Sequence, residues 1–183
     1  MQYDQAIKVL EEADCLADRT TVEAALDRMA AAITASIGKK NPMVFCVMNG
    51  GLIVTGQLLT RLSFPLEVGY LHATRYGRET TGGDLEWKAL FQADVEGRTV
   101  LLVDDILDEG VTLLALVDAC RSRGATEVLT AVLVDKQHDR KACPGYHADF
   151  TGLEIADRFV FGYGLDYDGI WRNAPGIYAV KGM

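Results

Sequence analysis

No stretch of this chain stays apolar over the roughly 20 residues that a bilayer-spanning helix requires. Its first residues carry no signal-peptide pattern either, so a cytoplasmic protein with no membrane partner is expected. Basic residues are scarce beside acidic ones: Lys and Arg total 18 against 26 Asp and Glu, a formal net charge of -8. A surface of that sign repels nucleic acid and anionic lipid. Any phosphate must then be held by a local site rather than by a basic face. The four cysteines, Cys15, Cys46, Cys120 and Cys143, are scattered singly and form no Cys-x-x-Cys pair. That argues against a metal or disulfide framework and for buried, reduced thiols. The three histidines, His72, His138 and His147, show no ligand spacing. Internal repeats and low-complexity linkers are also missing. What remains is a 183-residue chain, 49% hydrophobic, long enough for one domain with a sizeable core.

Apolar positions Ile7, Val9, Leu10, Ala13 and Leu16 predict a helix from about Asp4 to Asp18. Thr20 and Glu23, spaced as a capping box, open a second helix. Its apolar face is Val22, Leu26, Met29, Ile33 and Ile37, and Gly38 ends it. Asn41-Pro42 breaks the chain before a buried-strand candidate, Met43 to Met48. Asn49-Gly50-Gly51 leads into a helix from Leu52 to Leu62, and an extended stretch runs from Leu66 to about Tyr76. The polar, glycine-rich segment from Gly77 to Asp84 is too long for a tight turn and reads as a mobile surface loop. Leu85 to Leu90 is a returning strand. Strand Thr99 to Val103, helix Thr112 to Arg123 and strand Glu127 to Val134 follow, then short extended pieces at 150–155, 159–161 and 177–180. Strand–helix–strand alternation predicts an α/β fold with a parallel sheet. The core spans about 40–140, and the two chain ends supply a smaller subdomain over it.

One stretch carries most of the chemistry. The apolar run Val100 to Val103 delivers Asp104, Asp105 and Asp108 to the carboxyl end of a strand, where ligands bind in open α/β sheets. Gly110 then turns the chain into a helix near Thr112, a geometry that offers backbone N–H groups to an anion. Carboxylates beside a phosphate cradle are reconciled by a sugar that bears both hydroxyls and a phosphate. Alone, an acidic loop after a strand is more often a solvated turn, Phe159 a core residue, and Arg172 or Lys136 a surface cation.

Asp104, Asp105, Asp108, Gly110 and Thr112 together fit the phosphoribosyl-pyrophosphate signature, and the unit resembles type I phosphoribosyltransferases. The segment Asp157 to Tyr167, with Arg172 beyond it, is similar to the base- and metal-binding stretch of the hypoxanthine-guanine (6-oxopurine) branch. Met48-Asn49-Gly50 and Leu133 to Lys136 match that branch's pyrophosphate loop and base-recognition strand end. The resemblance runs from about Val44 to the last residue. It implies a parallel-sheet core with a small hood, and transfer of a phosphoribosyl group from phosphoribosyl pyrophosphate to hypoxanthine or guanine. Homodimers or homotetramers, and Mg²⁺ as cofactor, come with it.

The resemblance also implies roles. Asp104 and Asp105 would hold the ribose hydroxyls, while Glu109, Gly110, Val111 and Thr112 would cradle the 5′-phosphate. Glu109 and Val111 replace the family's commoner threonine and lysine, so that cradle must work through backbone N–H groups. Asp108 would exchange a proton with the purine ring, its pKa raised by neighbouring negative charge. Asp166 would bind the metal, and Met48, Asn49, Gly50 and Arg172 the pyrophosphate, with a cis peptide at Met48-Asn49. Arg75 lies where its charge can also reach the pyrophosphate. Lys136 would donate to the O6 of the base, Phe159 would stack on it, and the Val160 backbone would read its edge. Tyr76, Gly77, Gly82 and Gly83 would belong to a closing lid. A xanthine-preferring enzyme is the nearest alternative. An RNA-binding regulator on the same fold is a more distant one, disfavoured by the acidic charge and the lack of a basic stripe.

Overall fold

In the computed structural model, residues 1–75, 85–89 and 94–182 are described, with 74–75 and 85–89 described by backbone alone. The core is a six-stranded sheet in the order β4-β3-β2-β5-β6-β7. Its strands are β2 (Met43–Val47), β3 (Glu67–Arg75), β4 (Leu85–Ala89), β5 (Thr99–Leu107), β6 (Glu127–Gln137) and β7 (Phe150–Ala156). Neighbours pair in parallel except β3 with β4, so five strands form the parallel core. Every residue of β2 is buried, as expected for a strand covered on both faces.

Alternation along the strands sends side chains to opposite faces. Val44, Leu101, Val103, Ala131 and Leu133 face α2 (Arg19–Ile37) and α3 (Gly51–Leu59). Phe45, Val100, Leu102, Val128 and Val132 meet α4 (Val111–Ser122) on the other face. α2 buries all five apolar positions that the periodicity singled out, together with Ala25 and Ala30. The chain ends meet in a second sheet of order β1-β9-β8, antiparallel throughout, from β1 (Asp14–Ala17), β8 (Val160–Phe161) and β9 (Ile177–Ala179).

Several boundaries differ from the sequence expectations. The first helix, α1 (Tyr3–Glu12), buries no residue, and the chain beyond it becomes β1, because β9 offers a backbone edge there. A five-residue apolar periodicity at that end was outcompeted by pairing with a strand more than 150 residues away. The N-cap of α2 is Asp18, whose carboxylate accepts the Thr21 N–H at 2.8 Å, rather than Thr20. Gly38 ends α2 in right-handed geometry, so its place was right but its conformational freedom is not used. β5 and β6 run past Val103 and Val134, because the ladder pairs Leu107 with Asp135 and carries the polar residues as strand. Cys46 and Cys120 are buried, whereas Cys15 and Cys143 are exposed, and all four are free thiols.

Leu133 is fully buried and carries the packing between the sheet and α2. Leu133→Ala should cost about 2–5 kcal/mol in urea unfolding, from lost transfer energy plus the cavity left behind. A loss below about 1 kcal/mol would mean that the site collapses around the smaller side chain.

Candidate active site

β2 and β5 are neighbours whose connections diverge: β2 continues through α3 to β3 on one side, β5 through α4 to β6 on the other. Such a switch point leaves a crevice outside the carboxyl ends of the two strands. A cavity of about 540 Å³ lies there, lined by the loop after β2 (Met48, Asn49, Gly50), the end of β5 with its following loop, and the start of α4. The peptide Met48-Asn49 is cis, as the resemblance implied. Gly110, left-handed at φ 84°, turns the chain so that Val111, Thr112 and Leu113 enter α4 at the cavity wall. The first turn of a helix has N–H groups without intrahelical partners, so this wall is suited to an anion.

The acid pair forms the floor. The Asp104 carboxylate accepts the Asp105 backbone N–H at 2.9 Å, and Asp105 is 8% exposed. Burial, and for Asp104 the neighbouring Asp105 charge, push both carboxyls above the usual range, Asp104 well above. Backbone closes in on them. A Cβ on Gly50 would lie 2.1 Å from an Asp105 carboxylate oxygen, so no larger residue fits there without displacing Asp105. Gly164 leaves as little room on the other side, where a Cβ would meet the Gly50 carbonyl at 2.3 Å.

Gly164 belongs to the first of two tight turns that aim Asp166 and Arg172 at the cavity. Gly162 and Leu165 bridge antiparallel around Tyr163-Gly164, and Tyr167 and Ile170 do so around Asp168-Gly169. Both central pairs have positive φ, the mark of a two-residue hairpin turn for which Asp-Gly is a strong signal. Asp166 accepts the Gly169 N–H at 2.8 Å and pairs with Arg172 at 2.5 Å. Arg172 also donates to the Gly164 carbonyl at 2.6 Å and stands 3.9 Å from Asp105. Among the described lining residues are five carboxylates, Asp104, Asp105, Asp108, Glu109 and Asp166, and one guanidinium, Arg172. A cavity of that balance accepts a polyphosphate only together with cations, and its hard oxygen donors suit a divalent ion such as Mg²⁺.

Asp108 has a different environment. Its Oδ2 accepts from Lys136 Nζ at 3.1 Å, and its Oδ1 lies 2.7 Å from His138 Nε2. Burial alone would raise this carboxyl, but the Lys136 and His138 bonds outweigh it and hold the pKa below the usual value. The expected upward push from negative charge is therefore reversed, because the fold places two donors in direct contact with the carboxylate. Asp157 completes the cluster: Arg140 grips it with two nitrogens at 2.6 and 2.9 Å, which holds its pKa down to about 2. Asp108, His138 and Asp157 lie within 4.8 Å of one another, a grouping that their spacing along the chain concealed. Lys136 and Arg140 already pair with both carboxylates, so the cluster lacks the net negative charge that a divalent ion needs.

Of the residues singled out in the sequence, Met48, Asn49, Gly50, Asp104, Asp105, Asp108, Glu109, Gly110, Val111, Thr112, Asp166 and Arg172 line one cavity. Lys136 reaches it through Asp108. Phe159, 45% exposed, and Val160, buried in β8, stand beyond its walls, with Phe159 edge-on to Tyr167 at 5.5 Å. Arg75 is described only as the last backbone position of β3, and Tyr76, Gly77, Gly82 and Gly83 lie outside the described residues. Sequence reasoning missed His72, which lines the cavity from β3, and His138. It also missed Lys141, which joins the ends of β5 and β6 by donating to the Leu107 carbonyl at 2.8 Å and the buried Asp135 carboxylate at 2.6 Å. For His72 the available signal was its place near the carboxyl end of a parallel strand. For His138 and Lys141 there was none, since both act across a loop.

The phosphoribosyl transferase domain family matches residues 12–168. The chain is 34% identical to a hypoxanthine-guanine phosphoribosyltransferase of Bacillus subtilis (strain 168) over 161 residues, 87% of this chain and 88% of the relative. It is 30% identical to a hypoxanthine-guanine-xanthine phosphoribosyltransferase of Tritrichomonas foetus over 166 residues, 91% of this chain and 90% of the relative. A solved structure of a hypoxanthine-guanine-xanthine phosphoribosyltransferase superposes with a TM-score of 0.84 at 28% identity, over 93% of this chain and 99% of that one.

Gly50→Ala tests the packing of the cavity floor. The expected protein keeps its far-ultraviolet circular dichroism while turnover falls on the order of 100-fold, the scale of a misplaced reacting group. Undiminished turnover would show that Asp105 can shift without consequence.

Proposed function

This chain belongs to the phosphoribosyl transferase family, and we propose that it moves the phosphoribosyl group of phosphoribosyl pyrophosphate to hypoxanthine or guanine, giving IMP or GMP and pyrophosphate. One observation carries the reading. An adjacent acid pair with Asp105 buried, a helix start suited to phosphate and a carboxylate backed by Lys136 face a single cavity at a switch point.

The 5′-phosphate sits on the backbone N–H groups of Gly110, Val111 and Thr112 and on the Thr112 hydroxyl, with Glu109 contributing backbone only. Asp104 and Asp105 accept the ribose hydroxyls. Their negative potential also favours the positive charge that develops at the anomeric carbon. Pyrophosphate rests against Met48, Asn49, Gly50 and Arg172, with Arg75 as a further cation. The purine enters beside Asp108, where Lys136 donates to O6, Phe159 stacks on the ring and the Val160 backbone reads its edge. Asp108 takes the proton from N7 of the purine while the electron pair of the other imidazole nitrogen, N9, forms the bond to the anomeric carbon. The bond from that carbon to the pyrophosphate oxygen breaks, and pyrophosphate leaves with the electrons. A carboxylate held ionised by Lys136 and His138 is ready for this proton without prior deprotonation.

Mg²⁺ is the cofactor that the excess of lining carboxylates supports. Asp166 would hold the ion, which would supply positive charge for the leaving pyrophosphate. The core at about 40–140 carries the sugar and 5′-phosphate contacts together with Asp108 and Lys136, the C-terminal segment carries Phe159, Val160, Asp166 and Arg172, and the protein works as a homodimer or homotetramer in the cytoplasm. The net charge of -8 and the acidic cavity favour this chemistry over RNA binding. Xanthine is the one alternative base with support, from the T. foetus relative's name.

Purified protein should form IMP or GMP from phosphoribosyl pyrophosphate when Mg²⁺ is present and lose that activity in chelator. No turnover of hypoxanthine, guanine or xanthine would sink the proposal. Within it, Asp108→Asn should lower kcat by roughly 10²- to 10⁴-fold, with little change in the KM for phosphoribosyl pyrophosphate. A near-normal kcat would remove Asp108 from its proton-transfer role.

A further inference from the structure

The His138 side chain is 4% exposed, and both of its ring nitrogens are engaged. The Arg140 backbone N–H donates to Nδ1 at 3.0 Å, and Nε2 lies 2.7 Å from Asp108 Oδ1. A backbone amide can only donate, so Nδ1 must accept and the ring proton must sit on Nε2. The imidazole therefore donates from Nε2 to Asp108. Lys136 Nζ donates to the opposite oxygen, Oδ2, at 3.1 Å. The two donors differ in freedom. The imidazole is enclosed and tied at both nitrogens, whereas the lysine has a flexible stem and also stands 3.7 Å from Asp157.

We propose that His138 is a positioning residue that holds Asp108 by Oδ1 throughout the reaction while Lys136 leaves Oδ2 for the incoming base. The idea rests on the reaction proposed above. When Lys136 turns to the base carbonyl, Oδ2 is released at the moment the ring N–H needs an acceptor. His138 keeps the carboxylate from rotating, and by donating to it favours the ionised form until the proton arrives. The imidazole does not take the proton onward, because protonating Nδ1 would set a second donor against the Arg140 N–H. The other charged groups facing this pair are Asp157 after β7, Arg140 in the loop after β6, and Glu109 next to Asp108 in the chain.

Two variants separate positioning from mere support. His138→Leu removes the donor; His138→Gln restores an amide N–H near the place of Nε2. In the free protein, carbon-13 NMR should show Asp108 titrating at higher pH in His138→Leu and close to wild type in His138→Gln. In turnover, His138→Leu should lose on the order of tenfold in kcat, the scale of one hydrogen bond to a charged group, with the acid limb moved to higher pH. His138→Gln should recover most of both. An Asp108 titration unmoved by His138→Leu, or equal impairment in both variants, would overturn the proposal. If His138→Leu does not fold, nitrogen-15 NMR of the wild-type ring decides, and a proton on Nδ1 at pH 8 refutes the clamp. The titrations need no substrate, so an absence of purine turnover in the wild type counts against the reaction alone.

Discussion

Two adjacent carboxylates at the end of a buried strand must be kept from water, from each other and from collapse onto the nearest cation. Asp105 meets this demand by close backbone packing. The loop after β2 approaches from one side at Gly50, and the Tyr163-Gly164 turn closes over that loop from the other, each at a distance that leaves no room for a Cβ. These contacts join three parts of the chain that are far apart in sequence. The Tyr163-Gly164 turn leads directly into the one around Asp168-Gly169, and between and beyond them Asp166 and Arg172 pair at the cavity. The cost is electrostatic. Burial pushes both acids upward, the neighbouring Asp105 charge adds to it for Asp104, and Arg172 is the nearby cation that offsets part of it.

The cavity divides its carboxylates by the partners it gives them. Asp104 and Asp105 have one distant guanidinium and each other, an arrangement that suits hydroxyl donors and cations arriving with a ligand. Asp108 has a lysine and a histidine in contact and is held ionised. Identical side chains within five residues thus have opposite titration shifts, and the difference comes from β6 and the loop after it. Separate environments for neighbouring acids are a common route to separate chemical roles.

The small sheet has its own attachments to the core. Trp171 Nε1 donates to the Ala6 carbonyl at 2.8 Å, which ties the otherwise unburied α1 to the C-terminal segment. Arg158, just before β8, pairs at 2.8 Å with Asp14 of β1, the strand on the other side of β9. Tyr163 donates to Glu23 of α2 at 2.5 Å, and Arg61 pairs with the same glutamate. The turn beside the acid pair is therefore braced against the helix that packs on the main sheet.

Most of the main sheet was legible from the chain alone. Val22, Leu26, Met29, Ile33 and Ile37 recur at helical spacing and are all buried, and the apolar runs at Met43, Thr99 and Glu127 became central strands. Periodicity is a local property with one dominant cause, the need to bury one face or both. The acidic stretch was legible for a similar reason, since strand, acids, glycine and helix start are consecutive, and its signature residues Asp104, Asp105, Asp108, Gly110 and Thr112 all line the cavity. What could not be read was anything settled by a distant partner. β1 looked helical until β9 offered an edge, Thr20 lost the cap to Asp18, and β5 ran on through its acids because β6 pairs alongside. The sequence by itself determined the α/β class, the order of the core elements and the identity of the acids. Only the tertiary structure decided how those acids ionise, because the field at a carboxylate falls off within a few ångströms. Which cation, imidazole or backbone N–H stands inside that distance is a matter of packing rather than of spacing along the chain.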